Sequence, residues 1–157
     1  MKQEIERKFL VRSDAWRAAS VSACRMRQGY LCLDPGRTVR VRLAGEAAWL
    51  TIKGPGAGAA RPEFEYPIPP ADARALLDGL CLPGQIDKTR HCIPYGGLVF
   101  EVDVLHGENE GLVLAEVELP ATDTVVEQPE WLGEEVTGDE RYFNAYLARH
   151  PYRRWSA

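Results

Sequence analysis

The chain has 157 residues, of which 45% are hydrophobic and 27% charged, and its net charge is −4. That is enough chain for one domain with a real core, and the acidic balance speaks against a protein that coats nucleic acid. No apolar run is long enough to span a membrane and no secretory leader is legible. Because the four cysteines (Cys24, Cys32, Cys81 and Cys92) form no CxxC pair, a cytoplasmic protein with reduced thiols is expected.

The chain opens MKQEIERKFLV, and a strand is expected over 3–12. Glu4, Glu6 and Lys8 fall on alternate positions, so they share one face, with Ile5, Arg7 and Phe9 on the other. A short helix follows at 13–20, with Ser13 or Asp14 as its N-cap. Strands at 25–34, 37–44 and 47–54 are joined by the turns DPG at 34–36 and AGE at 44–46, which makes neighbours antiparallel. RTVRVRL puts Arg40 and Arg42 on one face against Val39, Val41 and Leu43, and WLTIK puts Thr51 and Lys53 opposite Leu50 and Ile52. GPGAGAARP at 54–62 reads as a loop. The next strand, 62–69, sets Glu63 and Glu65 opposite Phe64 and Tyr66, and a helix is expected at 70–80. Strands at 85–93, 98–106 and 112–120 carry Lys88 with Arg90, Glu101 with Asp103, and Glu116 with Glu118. Helices are expected around 121–130 and at 139–150, the last with a packing stripe of Tyr142, Phe143, Tyr146 and Leu147. Its tail, HPYRRW, adds Arg153 and Arg154 to Arg149.

A sheet with one wet face alternates apolar and polar residues, and that explains any one of these strands. It does not explain the set. The polar positions are mostly ionised and come in like-sign pairs, which repel at close range. A ligand of both signs would offset this. A polyphosphate chelated by divalent cations is one, with bases on its oxygens and carboxylates on the metals. Closure would offset it too, since eight strands make a small barrel whose inward positions form one tunnel. The expected fold is therefore α+β: an eight-stranded antiparallel β-barrel, closed or nearly closed, with a charged interior and helices packed outside on the apolar positions. His91 and His106 fall on the outward parity, and Tyr30 is placed to line either the tunnel or the core.

These residues resemble those of the CYTH superfamily, the triphosphate tunnel metalloenzymes. Glu4, Glu6 and Lys8 match the opening E-x-E-x-K. RVR at 40–42, TIK at 51–53, EFE at 63–65, KTR at 88–90, EVD at 101–103 and EVE at 116–118 follow in the family's order. RQGYL at 27–31 and EEVTGDERYFNAYLA at 134–148 resemble the short bacterial members in particular. The likeness covers nearly the whole chain as one domain. It implies a tunnel, a divalent Mg2+ or Mn2+ ion, and hydrolysis of inorganic triphosphate, a small anionic substrate class that extends to nucleoside triphosphates. On that resemblance, Arg40, Arg42, Lys53, Lys88 and Arg90 would grip the phosphate chain and Glu4, Glu6, Glu116 and Glu118 would hold the metal. Glu63, Glu65, Glu101 and Asp103 would hold a second metal or position the attacking water, and Lys8 would bind a terminal phosphate or that water. The alternatives are a nucleoside or thiamine triphosphatase, a class IV-type adenylyl cyclase, and a non-catalytic polyphosphate or nucleotide binder. Cyclases and thiamine triphosphatases usually carry Tyr/Phe-Asp-Thr-Pro in the second strand region, where this chain reads YLCLDPGRT. No nucleic-acid or membrane partner is expected, and a homodimer stays open.

Overall fold

The computed structural model describes residues 2–55 and 60–155, so the middle of the loop expected at 54–62 lies outside the described residues. Eight strands run antiparallel to their neighbours: β1 (Lys2–Val11), β2 (Ser22–Asp34), β3 (Arg37–Ala44), β4 (Ala47–Lys53), β5 (Ala60–Pro67), β6 (Ile86–Tyr95), β7 (Leu98–Leu105) and β8 (Val113–Glu118). Their order is 5-4-3-2-6-7-8-1, and pairing of β1 with β5 closes the barrel. The closing contact is short, from Lys2 opposite Glu63 to Ile5 opposite Ala60. Beyond it the edge of β1 turns to a ninth strand, β9 (Leu132–Glu135), with Phe9 opposite Glu135. The opposite edge of β1 pairs with β8 from Glu6–Glu118 to Leu10–Leu114.

Charges point in, so the apolar residues must be buried outside. The outer faces of β1, β6, β7 and β8 contribute Phe9, Ile93, Phe100, Val102, Ala115 and Val117. They are covered by Trp16, from a 3-10 helix at Ala15–Ala19, and by Leu119, Trp131 and Leu132. On the other side α1 (Pro70–Gly79) lays Ala73 and Leu77 on Val41 of β3 and Ala48 of β4.

Two helical expectations fail. Residues 121–130 form a turn and irregular chain, not a helix. Thr124 bonds back to the Ala121 carbonyl at 2.8 Å, a local alternative to a helix, and the β-branched run Thr124–Val125–Val126 and Pro129 oppose one further. The helix expected at 139–150 is split. A 3-10 turn (Glu140–Tyr142) precedes α2 (Asn144–Arg149), with extended backbone at Phe143 between them.

α2 closes one end of the barrel. Leu147 and Ala148 pack against Ile86, Leu105 and Leu114, with Leu10 beside them. By parity these four share the inward face with Lys88, Asp103, Glu116 and Lys8, so the lumen turns from charged to apolar there. The seat depends on Gly84, whose φ is +88° and whose Cβ, if it had one, would collide with the Ala148 carbonyl oxygen. Gly84→Ala is therefore expected to destabilise by about 2 kcal/mol or more, from left-handed strain plus the displaced helix. Thermal melting checks this, and an unchanged midpoint would mean that α2 does not depend on that contact.

Candidate active site

Directly opposed residues of antiparallel neighbours point to the same face. Arg40 stands opposite Tyr30 and Thr51, Thr51 opposite Glu65, and Lys53 opposite Glu63. Arg90 is opposite Asp103, Glu101 opposite Glu116, Lys8 opposite Glu116, and Glu6 opposite Glu118. The charged faces thus meet around one cavity of about 510 Å3, and Arg40 and Glu116 share its wall as the parity argument requires. Among the charged residues singled out from the sequence, Lys88 and Asp103 alone are missing from that wall. They are 1% and 3% exposed and sit behind Arg90.

Each base leans on an acid from a nearby strand. Asp103 accepts from Arg90 at 2.7 and 2.9 Å and from Lys88 at 2.8 Å. Arg90 also lies 3.3 Å from Glu101 and 3.9 Å from Glu116. Glu65 lies 3.4 Å from Arg42 and 4.0 Å from Arg40, and accepts from Thr51 at 2.8 Å. Lys53 donates to both oxygens of Glu4, at 2.8 and 3.1 Å, and is 3.8 Å from Glu63. Lys8 is 3.4 Å from Glu116 and donates to the Tyr142 carbonyl at 3.0 Å.

The pairing is uneven, and the charge is segregated. Burial, then repulsion from Glu116 and Glu4, pushes the Glu6 carboxyl up to about 8. Glu6 has no hydrogen bond or ion pair among the described residues. On the basic side, burial and then Arg40 and Arg90 lower the Arg42 guanidinium to about 10. The Nε atoms of Arg40 and Arg42 are buried without a hydrogen-bond partner. One part of the lumen therefore has an excess of acid and another an excess of base. Between them Glu4 and Glu63 share a hydrogen bond. That bond, then burial, raises Glu63 to about 7; burial opposes ionisation of Glu4, yet Glu63 and Lys53 outweigh it and hold Glu4 at about 2. The pair carries one proton near neutrality, on Glu63.

Several wall residues escape the sequence reading. Arg61 lies 3.6 Å from Glu4. It shares the parity of Glu63 and Glu65, but barrel closure carries β5 two residues further back than the expected strand. Phe143 comes from the break before α2, where no periodic signal exists; its ring lies 5.6 Å from the Lys8 ammonium and 5.9 Å from the Arg61 guanidinium. Tyr30, Thr38 and Thr51 are also in the wall. His91 and His106 point outward as expected: His91 packs on Trp16 at 4.8 Å, and His106 is 2.7 Å from the Thr89 hydroxyl.

Among the described residues, no three His, Cys, Asp or Glu side chains are gathered to hold a metal ion as they stand. The donor set nonetheless suits a hard divalent cation. Glu6 keeps its proton because Glu116 and Glu4 crowd it with negative charge, and a cation would relieve that excess.

A closed antiparallel barrel with acids and bases facing one cavity is the architecture expected of a triphosphate tunnel. Residues 2–152 match the CYTH domain family, and the chain belongs to that family. It is 44% identical to an inorganic triphosphatase of Acetivibrio thermocellus over 153 residues, 98% of this chain and 97% of that one. An inorganic triphosphatase of Nitrosomonas europaea is 37% identical over 92% of this chain and 96% of its own. A crystal structure described as that of an inorganic triphosphatase superposes with a TM-score of 0.67 at 35% identity, covering 92% of this chain and 97% of the other.

Proposed function

We propose that this protein is a single-domain, divalent-metal-dependent hydrolase that cleaves inorganic triphosphate to diphosphate and phosphate inside the barrel. The observation that carries the reading is the segregated charge of one cavity: Arg40, Arg42 and Arg90 with incompletely satisfied guanidinium groups, and Glu6, Glu116 and Glu118 with acid in excess. Arg40, Arg42, Lys53 and Arg90 bind the phosphate chain, exchanging their present carboxylate partners for phosphate oxygens. Lys88 and Asp103 act one step back, fixing the fork of Arg90. Lys8 carries the terminal phosphate. Mg2+ or Mn2+, held by Glu6, Glu116 and Glu118 with Glu4 beside them, would neutralise charge on the phosphate oxygens. Water attacks phosphorus, the P–O bond to diphosphate breaks, and the proton of the attacking water passes to a wall carboxylate. Glu63, with its carboxyl near neutrality, exchanges protons readily there, while Glu65 and Glu101 orient the arginines.

Phosphate release from inorganic triphosphate, ATP and thiamine triphosphate, with Mg2+ or Mn2+, tests this. Inorganic triphosphate should give the highest kcat/KM, because adenosine adds bulk to a cavity lined chiefly by charges. Excess chelator should abolish turnover and either metal should restore it. Calcium should support little, since its larger, looser coordination positions the in-line attack poorly. Full activity in chelator would remove the metal from the reading, and a clear preference for ATP would move it to a nucleotide enzyme.

A further inference from the structure

The aromatic stripe of the last helix does not stay together. Leu147 faces the barrel and Phe143 turns into the tunnel. Tyr146 faces a second cavity, about 420 Å3, which it lines with Arg141, Arg149, His150, Arg154 and Trp155. α2 is thus a partition: Asn144 and Ala145 line the tunnel, and Tyr146 and Arg149 line the second cavity. No acidic side chain lines the latter, in a chain whose net charge is −4.

Its parts differ in what they are free to do. Arg141 is forked onto Asp139 at 3.1 and 2.7 Å, and Arg154 is 3.9 Å from Glu108. Both pairs are solvent-exposed and so weak. Arg149 has no acidic partner among the described residues. Beneath the cations is a fixed aromatic surface. The rings of Tyr146 and His150 are 4.3 Å apart and tilted by 33°. Trp155 stands edge-on to Tyr146 at 6.1 Å and is anchored by its indole N–H, which donates to the His150 carbonyl at 2.8 Å.

We propose that this cavity is a second ligand site, separate from the tunnel, for a nucleoside diphosphate or triphosphate. The base stacks on the Tyr146–His150–Trp155 surface, and the phosphates take Arg149 and Arg154. Arginine forks match phosphate oxygens in pairs, and a base on an aromatic face contributes about 1–3 kcal/mol. The volume is in the range of small-ligand sites. An inorganic chain would use the arginines and leave the aromatic surface idle, so the two halves together select a nucleotide. The inference is independent of the reaction in the tunnel, because its readout is binding.

The test uses the full chain and a photoreactive azido analogue of ADP, followed by peptide mapping. Label is expected in the peptide spanning 141–155, with protection by ADP and much weaker protection by inorganic diphosphate or adenosine alone. The double variant Arg149→Ala/Arg154→Ala should weaken ADP binding about 10-fold, the loss of one strong charge-assisted contact. Its melting temperature and triphosphate turnover should match the parent's, since both residues are exposed and outside the tunnel. Trp155→Phe should retain most binding. Label confined to tunnel strands, protection by diphosphate equal to that by ADP, or a double variant that binds ADP like the parent would each overturn the proposal.

Discussion

Glu6→Gln is expected to lower triphosphate hydrolysis by about 100-fold or more, on the scale of losing one electrostatic contact at a reacting centre, while leaving the metal-free protein more stable at alkaline pH. The two effects have one cause. Glu6 stands among acids, and burial with Glu116 and Glu4 raises its carboxyl from an ordinary 4.5 to about 8. The folded state therefore holds a proton that the unfolded chain releases above 4.5. Stability from this group is whole below that value and is lost as pH rises through 8. Gln has no such proton, so the variant's stability should lack that fall, a difference on the order of 1–3 kcal/mol at the alkaline end. A divalent ion binding the parent must displace the same proton, so Mn2+ should raise the melting temperature more at about pH 8 than at about pH 6. Melting curves across that range, with and without Mn2+ and beside a phosphate-release assay, check both halves. A variant that melts well below the parent in chelator at alkaline pH, yet keeps its turnover, would identify Glu6 as a structural partner and not a metal ligand.

The paired charges were legible because strands alternate: once Arg40 and Arg42 share a face, so must Glu101 with Asp103, whatever the barrel's dimensions. Parity could not say how deep along the tunnel each residue lies. Lys88 and Arg90 are two residues apart on one face, yet Arg90 is in the cavity wall and Lys88 is behind it. That depth is set by the stagger between strands, which comes from side-chain packing among distant residues and leaves no periodic mark. The same limit applies to the cover. Trp131 and Leu132 bury a sheet face from irregular chain and a short edge strand, where amphipathic reasoning expected a helix. Phe143 reaches the tunnel because the 3-10 turn and α2 do not join smoothly, a tertiary outcome of seating Leu147 in the barrel end. Arg61 is the one omission that a longer reading of β5 would have caught.

Asp103→Asn makes the same kind of change as Glu6→Gln, acid to amide, and is expected to do the opposite to stability. Asp103 is 3% exposed and accepts from both Lys88 and Arg90. Burial alone would raise its carboxyl, but Arg90 and Lys88 outweigh burial and hold it below its ordinary value. Its contribution is therefore present above the unfolded value of 3.8 and is lost as pH falls through the lower folded one. An amide has one acceptor oxygen where the carboxylate has two, and it turns an N–H group toward a cation. With two buried cations left poorly paired, the loss should be about 3–5 kcal/mol, readable as a lower denaturation midpoint with unchanged slope. Turnover should fall as well, with KM rising more than kcat drops, because Arg90 would keep its charge but lose the fork that aims it at the phosphate. Adding Lys88→Met should return part of the stability, since it removes one stranded cation, and leave KM high. If Asp103→Asn melts like the parent, the buried triad is not what holds Arg90 in place, and the orientation of that arginine must come from Glu101 and Glu116 in the cavity wall.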